Sequence, residues 1–131
     1  MRRAGGFTLT EMMIVVVIIG ILAGIGVPNY YRSVELARSN EARVNLNAIY
    51  MGERIYFLNN NAYWPVPAAT SVNVADMNTN LNIDVRSQDY SLTVQSFGAT
   101  FVASAARVGR GATAKTFTIS QNGVLTEAGN Y

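Results

Sequence analysis

A chain of 131 residues, half of them hydrophobic, has material for one small folded domain and an apolar anchor. Its formal charge of +2 includes Arg2 and Arg3; without them eight basic side chains face eight acidic ones, which leaves no electrostatic case for a specific nucleic-acid partner. Cysteine and histidine are both absent, so the domain folds without disulfides, and metal binding and general-base catalysis lose their commonest side chains.

In chain order, the basic pair Arg2-Arg3 precedes Gly5-Gly6-Phe7-Thr8-Leu9-Thr10-Glu11. The 20 residues from Met12 to Tyr31 carry no charge. As a helix they span about 30 Å, the hydrocarbon thickness of a bilayer. The positive flank predicts that the N-terminus stays cytoplasmic while the rest crosses. Three readings compete for this stretch. A secretory signal peptide has a basic start and a short apolar run, and Gly24-Ile25-Gly26 imitates its cleavage site. A plain membrane anchor fits the length. Neither explains the acid Glu11 at the head of the run. The third reading is a leader cut after Gly6, which keeps the apolar run and exposes a new amine on Phe7, four residues before Glu11.

Gly6-Phe7-Thr8-Leu9-Thr10-Glu11 followed by the apolar run resembles the prepilin signal of type IV pilins and their pseudopilin relatives. Thr10 stands where that family more often has an aliphatic residue, and Pro28 where it often has a proline. The resemblance covers residues 5–65 or so. It implies a peptidase that cuts between Gly6 and Phe7 and methylates the Phe7 amine. It also implies partners: an inner-membrane assembly platform, the lipid bilayer before assembly, and copies of the same chain in a helical filament afterwards. A disulfide-closed loop, frequent near the C-terminus of such pilins, has no cysteines here to form it.

An ionised carboxylate in hydrocarbon costs roughly 2.5–3.5 kcal/mol, so Glu11 needs a partner. The Phe7 amine, cationic at neutral pH once freed, is the candidate. Within one helix the two are four residues apart, and an acid also suits the first turn. The family resemblance implies instead an assembly salt bridge from Glu11 of one subunit to Phe7 of its neighbour. Gly20 and Gly24 have the small-xxx-small spacing that lets helices approach closely. Pro28 removes a backbone donor, so a kink or local melting is expected at 27–29, and we expect this segment to extend on assembly.

From 29 to 59 the sequence turns amphipathic. Tyr30, Val34, Ala37, Val44, Ala48, Met51, Ile55 and Leu58 recur at steps of three and four, with Glu41 in the one gap. This predicts the stripe that docks on a sheet, with Arg43, Glu53 and Arg54 on other faces. Asn59-Asn60-Asn61 ends a helix of about 50 residues. Tyr63 and Trp64 are read as a cover over the end of the helix–sheet core. Residues 66–87 read as a connection with a short helix near 74–81. Asp76, Asp84 and Asp89 within and after it are too scattered for a calcium site, and no metal or other cofactor is expected.

The last third alternates apolar and polar residues. Runs at 90–95, 100–107, 116–120 and 124–126 read as strands, the last two joined by Gln121-Asn122-Gly123, a hairpin signal. Gly109-Arg110-Gly111 lies between strands and lacks the strand-then-helix setting of a phosphate loop. The expected fold class is α+β: a long N-terminal helix, apolar then amphipathic, on an antiparallel sheet of three or four strands. The expected divisions are a leader at 1–6, an apolar half-helix at 7–28 and a periplasmic or extracellular domain at 29–131. Within that domain we place helix at 29–59, connection at 60–88 and sheet at 89–131. No nucleophile–base pair is present, and an enzyme is not expected. The functional expectation is a structural subunit of a type IV pilus-like filament. The alternatives are a pseudopilin of a type II secretion system and a signal-anchored periplasmic binding module.

Overall fold

The computed structural model describes residues 6–66, 72–109 and 115–129. The expected leader residues 1–5 and the loop residues Arg110 and Gly111 lie outside the described residues. The chain has an α+β fold. Helix α1 spans Leu9–Asn60, α2 spans Val74–Leu81, and four strands follow: β1 (Tyr90–Phe97), β2 (Thr100–Arg107), β3 (Thr116–Ser120) and β4 (Leu125–Ala128). Two compact units divide at Ala37 and Arg38.

Among the described residues of the first unit α1 is the only regular element, and its apolar side chains from Leu9 to Val27 are all exposed. The melting expected at 27–29 is absent, because α1 runs on through Pro28. The carbonyl that faces a proline ring in a helix belongs to the residue four before it, here Gly24. A glycine lets that turn open without a side-chain clash. One turn later Ser33 Oγ donates to Asn29 O at 3.0 Å.

The second unit is a helix on a sheet. All neighbouring strands are antiparallel, in the order β1-β2-β3-β4. The turns follow their residues. Gly98 takes φ +61° between β1 and β2, and Gly123 takes φ +73° between β3 and β4, where Gly123 N–H bonds Ser120 O at 2.9 Å. Register places Leu92, Ala105 and Phe117 in one inward row and Val94, Ala103 and Ile119 in the next. Those six are buried, and the alanines of the second strand leave room for the longer side chains of α1. The outward row Thr93, Ser104, Thr118, Thr126 crosses all four strands, with a Thr93–Ser104 hydroxyl contact of 2.6 Å.

The helical stripe that packs here is a different one from that expected. Ser39, Ala42, Asn45, Leu46, Ile49, Gly52 and Glu53 are buried, while Val44, Met51, Ile55 and Leu58 are each more than half exposed. Two apolar stripes share this helix, and periodicity does not rank them. The buried one wins through small and hydrogen-bonding residues. Gly52 admits Leu81 and Ile83 so closely that a Cβ would sit 2.9 Å from both. Asn45 Nδ2 donates to Arg86 O at 2.8 Å, and Ser39 Oγ meets Tyr90 Oη at 3.3 Å. Helix α1 stops where the asparagines were expected to stop it: Asn61 is left-handed at φ +55°, and its N–H bonds Phe57 O. Asn73 caps the start of α2 through its side chain on Asp76 N–H, and left-handed Asn82 closes its end.

Candidate functional site

Gly6, Phe7 and Thr8 precede α1 and are not helical. Both residues of the Gly6–Phe7 bond are exposed, Phe7 at 82%. A peptidase must reach a scissile carbonyl from outside a helical hydrogen-bond ladder, and this bond offers that access.

Immediately after it, Thr8 and Glu11 form a reciprocal cap. Glu11 Oε2 accepts from Thr8 N–H at 2.8 Å and from the Thr8 hydroxyl at 2.8 Å, while Glu11 N–H donates to Thr8 Oγ1 at 3.2 Å. This is a capping box, with Thr and Glu three apart, and it satisfies amides that the first helical turn leaves unpaired. Sequence reasoning singled out Glu11 but missed Thr8, although Thr-x-x-Glu ahead of an apolar run is the signature. In the uncut chain the Phe7 nitrogen is an amide, so the capping hydroxyl and amide of Thr8 hold the carboxylate. Cleavage after Gly6 would create a cation one residue from that cap.

Beyond the cap, Met12, Ile14, Val16, Ile18, Ile21 and Ile25 are each between 45% and 68% exposed. A Cβ built on Gly20 or Gly24 would meet nothing within 4 Å. Their small size therefore answers no packing need of this chain. The apolar stretch of α1 is long enough to cross a membrane.

In the second unit the charged groups are tied into the fold. Glu127 on β4 is bound by Lys115 Nζ and by Arg43 Nη2 of α1, the latter at 2.6 Å. The Lys115 and then the Arg43 hydrogen bond hold the Glu127 carboxyl below the usual range. Asp89 is bridged by Arg38 and Arg107, each at 3.1 Å. Asp84 pairs with Arg86, so Asp76, Asp84 and Asp89 do not converge, and no cluster of three metal-ligating side chains occurs among the described residues. Tyr63 takes the covering place expected of it, 4.8 Å from the Phe57 ring and 4.9 Å from Phe101, and Trp64 packs beside the core.

Glu53 was expected on a solvent face and is instead fully buried. Its Oε2 accepts from Trp64 N–H at 3.0 Å, and its Oε1 has no partner among the described residues. Burial pushes its carboxyl up to about 7, against a smaller lowering by the Trp64 amide. The available signal was spacing: Leu46, Ile49 and Glu53 follow at steps of three and four on the buried stripe.

Residues 1–27 match the family of the prokaryotic N-terminal methylation motif. The first half of the chain is 44% identical over 61 residues to the type IV major pilin protein PilA of Myxococcus xanthus, covering 47% of this chain and 28% of that protein. It is 44% identical over 62 residues to the type II secretion system core protein G of Aeromonas hydrophila, covering 47% and 43%. Against the type IV wide pilus major component PilA4 of Thermus thermophilus it is 38% identical over 69 residues, 53% of each. Over these stretches the chain is similar to type IV pilus and type II secretion system proteins. The matched stretch spans about half of this chain and from about a quarter to half of those relatives. The methylation-motif match at residues 1–27 takes in Gly6-Phe7 to Glu11 and the exposed apolar run to Val27.

Proposed function

We propose that this chain is a structural subunit of a type IV pilus-like filament. It inserts in the inner membrane through residues 7–28 and presents residues 29–131 on the far side. It is cut after Gly6, methylated on Phe7 by the same peptidase, and polymerised with copies of itself through its apolar half-helix. One observation carries the reading: an accessible Gly6–Phe7 bond lies directly ahead of a capped helix whose apolar face has no partner among the described residues. The carboxylate of Glu11, already held at the helix start, is placed to receive the Phe7 amine of an adjoining subunit. Its acyclic partner Thr8 is neutral, so replacing it with a cation removes more of the cost of carrying an acid into lipid. Gly20 and Gly24 supply close-approach points, and the stripe Val44, Met51, Ile55 and Leu58 supplies further apolar surface for neighbours. The filament is the product and no catalytic role is assigned.

The second reading is a pseudopilin of a type II secretion system, favoured by the similarity to the core protein G of that system over 43% of its length. Purified surface filaments built from this chain support the pilus. Loss of enzyme export on deletion, without surface filaments, replaces it with the secretion reading. A soluble monomer lacking residues 7–27 contradicts both.

A further inference from the structure

Glu53 is a buried acid with no salt-bridge partner among the described residues. It sits in α1 next to Gly52, whose backbone is pressed against Leu81 and Ile83. One carboxylate oxygen holds the Trp64 amide; the other is buried and unpartnered. An ionised carboxylate offers acceptor sites only, and leaving one of its oxygens dry is costly. The protonated acid puts a hydrogen on one oxygen and keeps the other as acceptor for Trp64 N–H. The docked geometry therefore suits the neutral form.

The charged and titratable groups on surrounding elements are engaged elsewhere. On α1, Arg54 donates to Tyr50 Oη and Arg43 to Glu127. In and after α2, Asp76 is exposed at the first turn, and Asp84 pairs with Arg86. Near the sheet, Lys115 binds Glu127, and Asp89 is bridged by Arg38 and Arg107. From the 62–66 segment come Tyr63, stacked on Phe57 and Phe101, and the Trp64 amide itself.

The segment that Glu53 grips has a second anchor. Ser96 Oγ of β1 donates to Trp64 O at 2.6 Å and accepts from Val66 N–H at 2.9 Å. A cavity of about 290 Å³ opens beside it, lined by Ala62, Tyr63, Pro65, Val66, Ser96 and Gly98.

We propose that Glu53 is a proton-operated latch: neutral, it holds segment 62–66 down on α1, and on ionising it lets that segment lift away. The latch tightens toward acid. An acid held above its ordinary value contributes full stability below about 4.5, and that contribution falls as pH rises through about 7. Between the two limits the docked state weakens by a factor of up to about 300. The inference does not depend on how residues 1–37 are used.

The composition makes the test unusually clean. The chain has one tryptophan, Trp64, and no histidine or cysteine, so few groups titrate between pH 5 and 9. Trp64 emission of the full chain in neutral detergent micelles is followed across that range. The expected result is one single-proton transition near pH 7 toward a more solvated emission, with faster exchange of the Trp64 amide above it. Glu53→Gln, which keeps an acceptor for that amide, is expected to give a flat profile and a urea midpoint at pH 8 no lower than that of the unaltered chain. A flat profile in the unaltered chain overturns the latch whatever the variant does. A transition that survives in E53Q overturns it as well, and assigns the titration to the terminal amine.

Discussion

Upstream of Arg38, Ile14, Ile18, Ile21 and Ile25 are each at least half exposed; downstream, Leu46, Ile49, Phe101 and Phe117 are fully buried. The two regions have similar apolar chemistry and opposite fates. A large aliphatic side chain left in water forgoes about 1.5–3 kcal/mol. The downstream unit recovers that energy within its own chain, through a sheet that supplies a second layer. Among the described residues the upstream helix has no second layer, and the proposed function assigns its surface to lipid or to other copies. The glycines tell the same story: Gly52 is small because Leu81 and Ile83 press on it, whereas Gly20 and Gly24 are small with nothing near them.

Six substitutions sharpen or break this contrast. The largest expected effect is on assembly. Glu11→Ala removes an acid that opposes the membrane by roughly 2.5–3.5 kcal/mol, so the subunit is retained in the bilayer. The outcome is normal cleavage after Gly6 with no filaments, read by immunoblot and sheared-filament yield. Filaments at the ordinary level would leave Glu11 with only its capping role.

Next come paired core tests by urea denaturation in micelles. Phe117→Ala empties a buried site and is expected to cost about 3–5 kcal/mol. Ile18→Ala, half exposed, is expected to change stability by less than about 0.5 kcal/mol. A large loss from the second would show that the apolar run packs within its own chain.

The glycines give a finer version. Gly52→Ala drives a Cβ into Leu81 and Ile83 and is expected to cost about 1–3 kcal/mol of folding stability. Gly20→Ala should leave folding intact, or stiffen the helix slightly, and weaken filaments instead. Equal effects of the two on folding would dissolve the distinction.

The smallest effect is a pH limb. Lys115 and Arg43 hold the Glu127 carboxyl below its ordinary value, so that part of stability is present above about 4.5 and is lost as pH falls through the lowered value. Glu127→Gln should flatten the acid limb of the midpoint-against-pH curve and leave the region near pH 7 unchanged. An unaltered acid limb would mean that these pairs contribute nothing measurable.

Much of the fold was legible because local signals agreed. The 74–81 helix has an asparagine at each end, strands β2 and β3 stood out by alternation, and Gln121-Asn122-Gly123 marked the hairpin from β3 to β4. The methylation motif at residues 1–27 was legible for a different reason, since it is contiguous and depends on no tertiary contact. What escaped was the choice of face on α1. Val44, Met51, Ile55 and Leu58 look like a core stripe by hydrophobicity, yet Ser39, Asn45, Gly52 and Glu53 lie on the buried one. Those residues enter the interior because each has a particular neighbour, such as Arg86 O for Asn45 and Trp64 N–H for Glu53, and such pairings between distant segments leave no trace in periodicity. The Pro28 melting was overestimated for a related reason: the residue four before it is a glycine, so the turn tolerates the ring.

The measurement that bears most directly on the account is the intact mass and N-terminal sequence of the chain isolated from cells. The account predicts a mature protein that begins at Phe7, carries a methyl group on that amine, and retains the whole apolar run. A chain that still begins at Met1, or one that has lost residues 7–27, would contradict it.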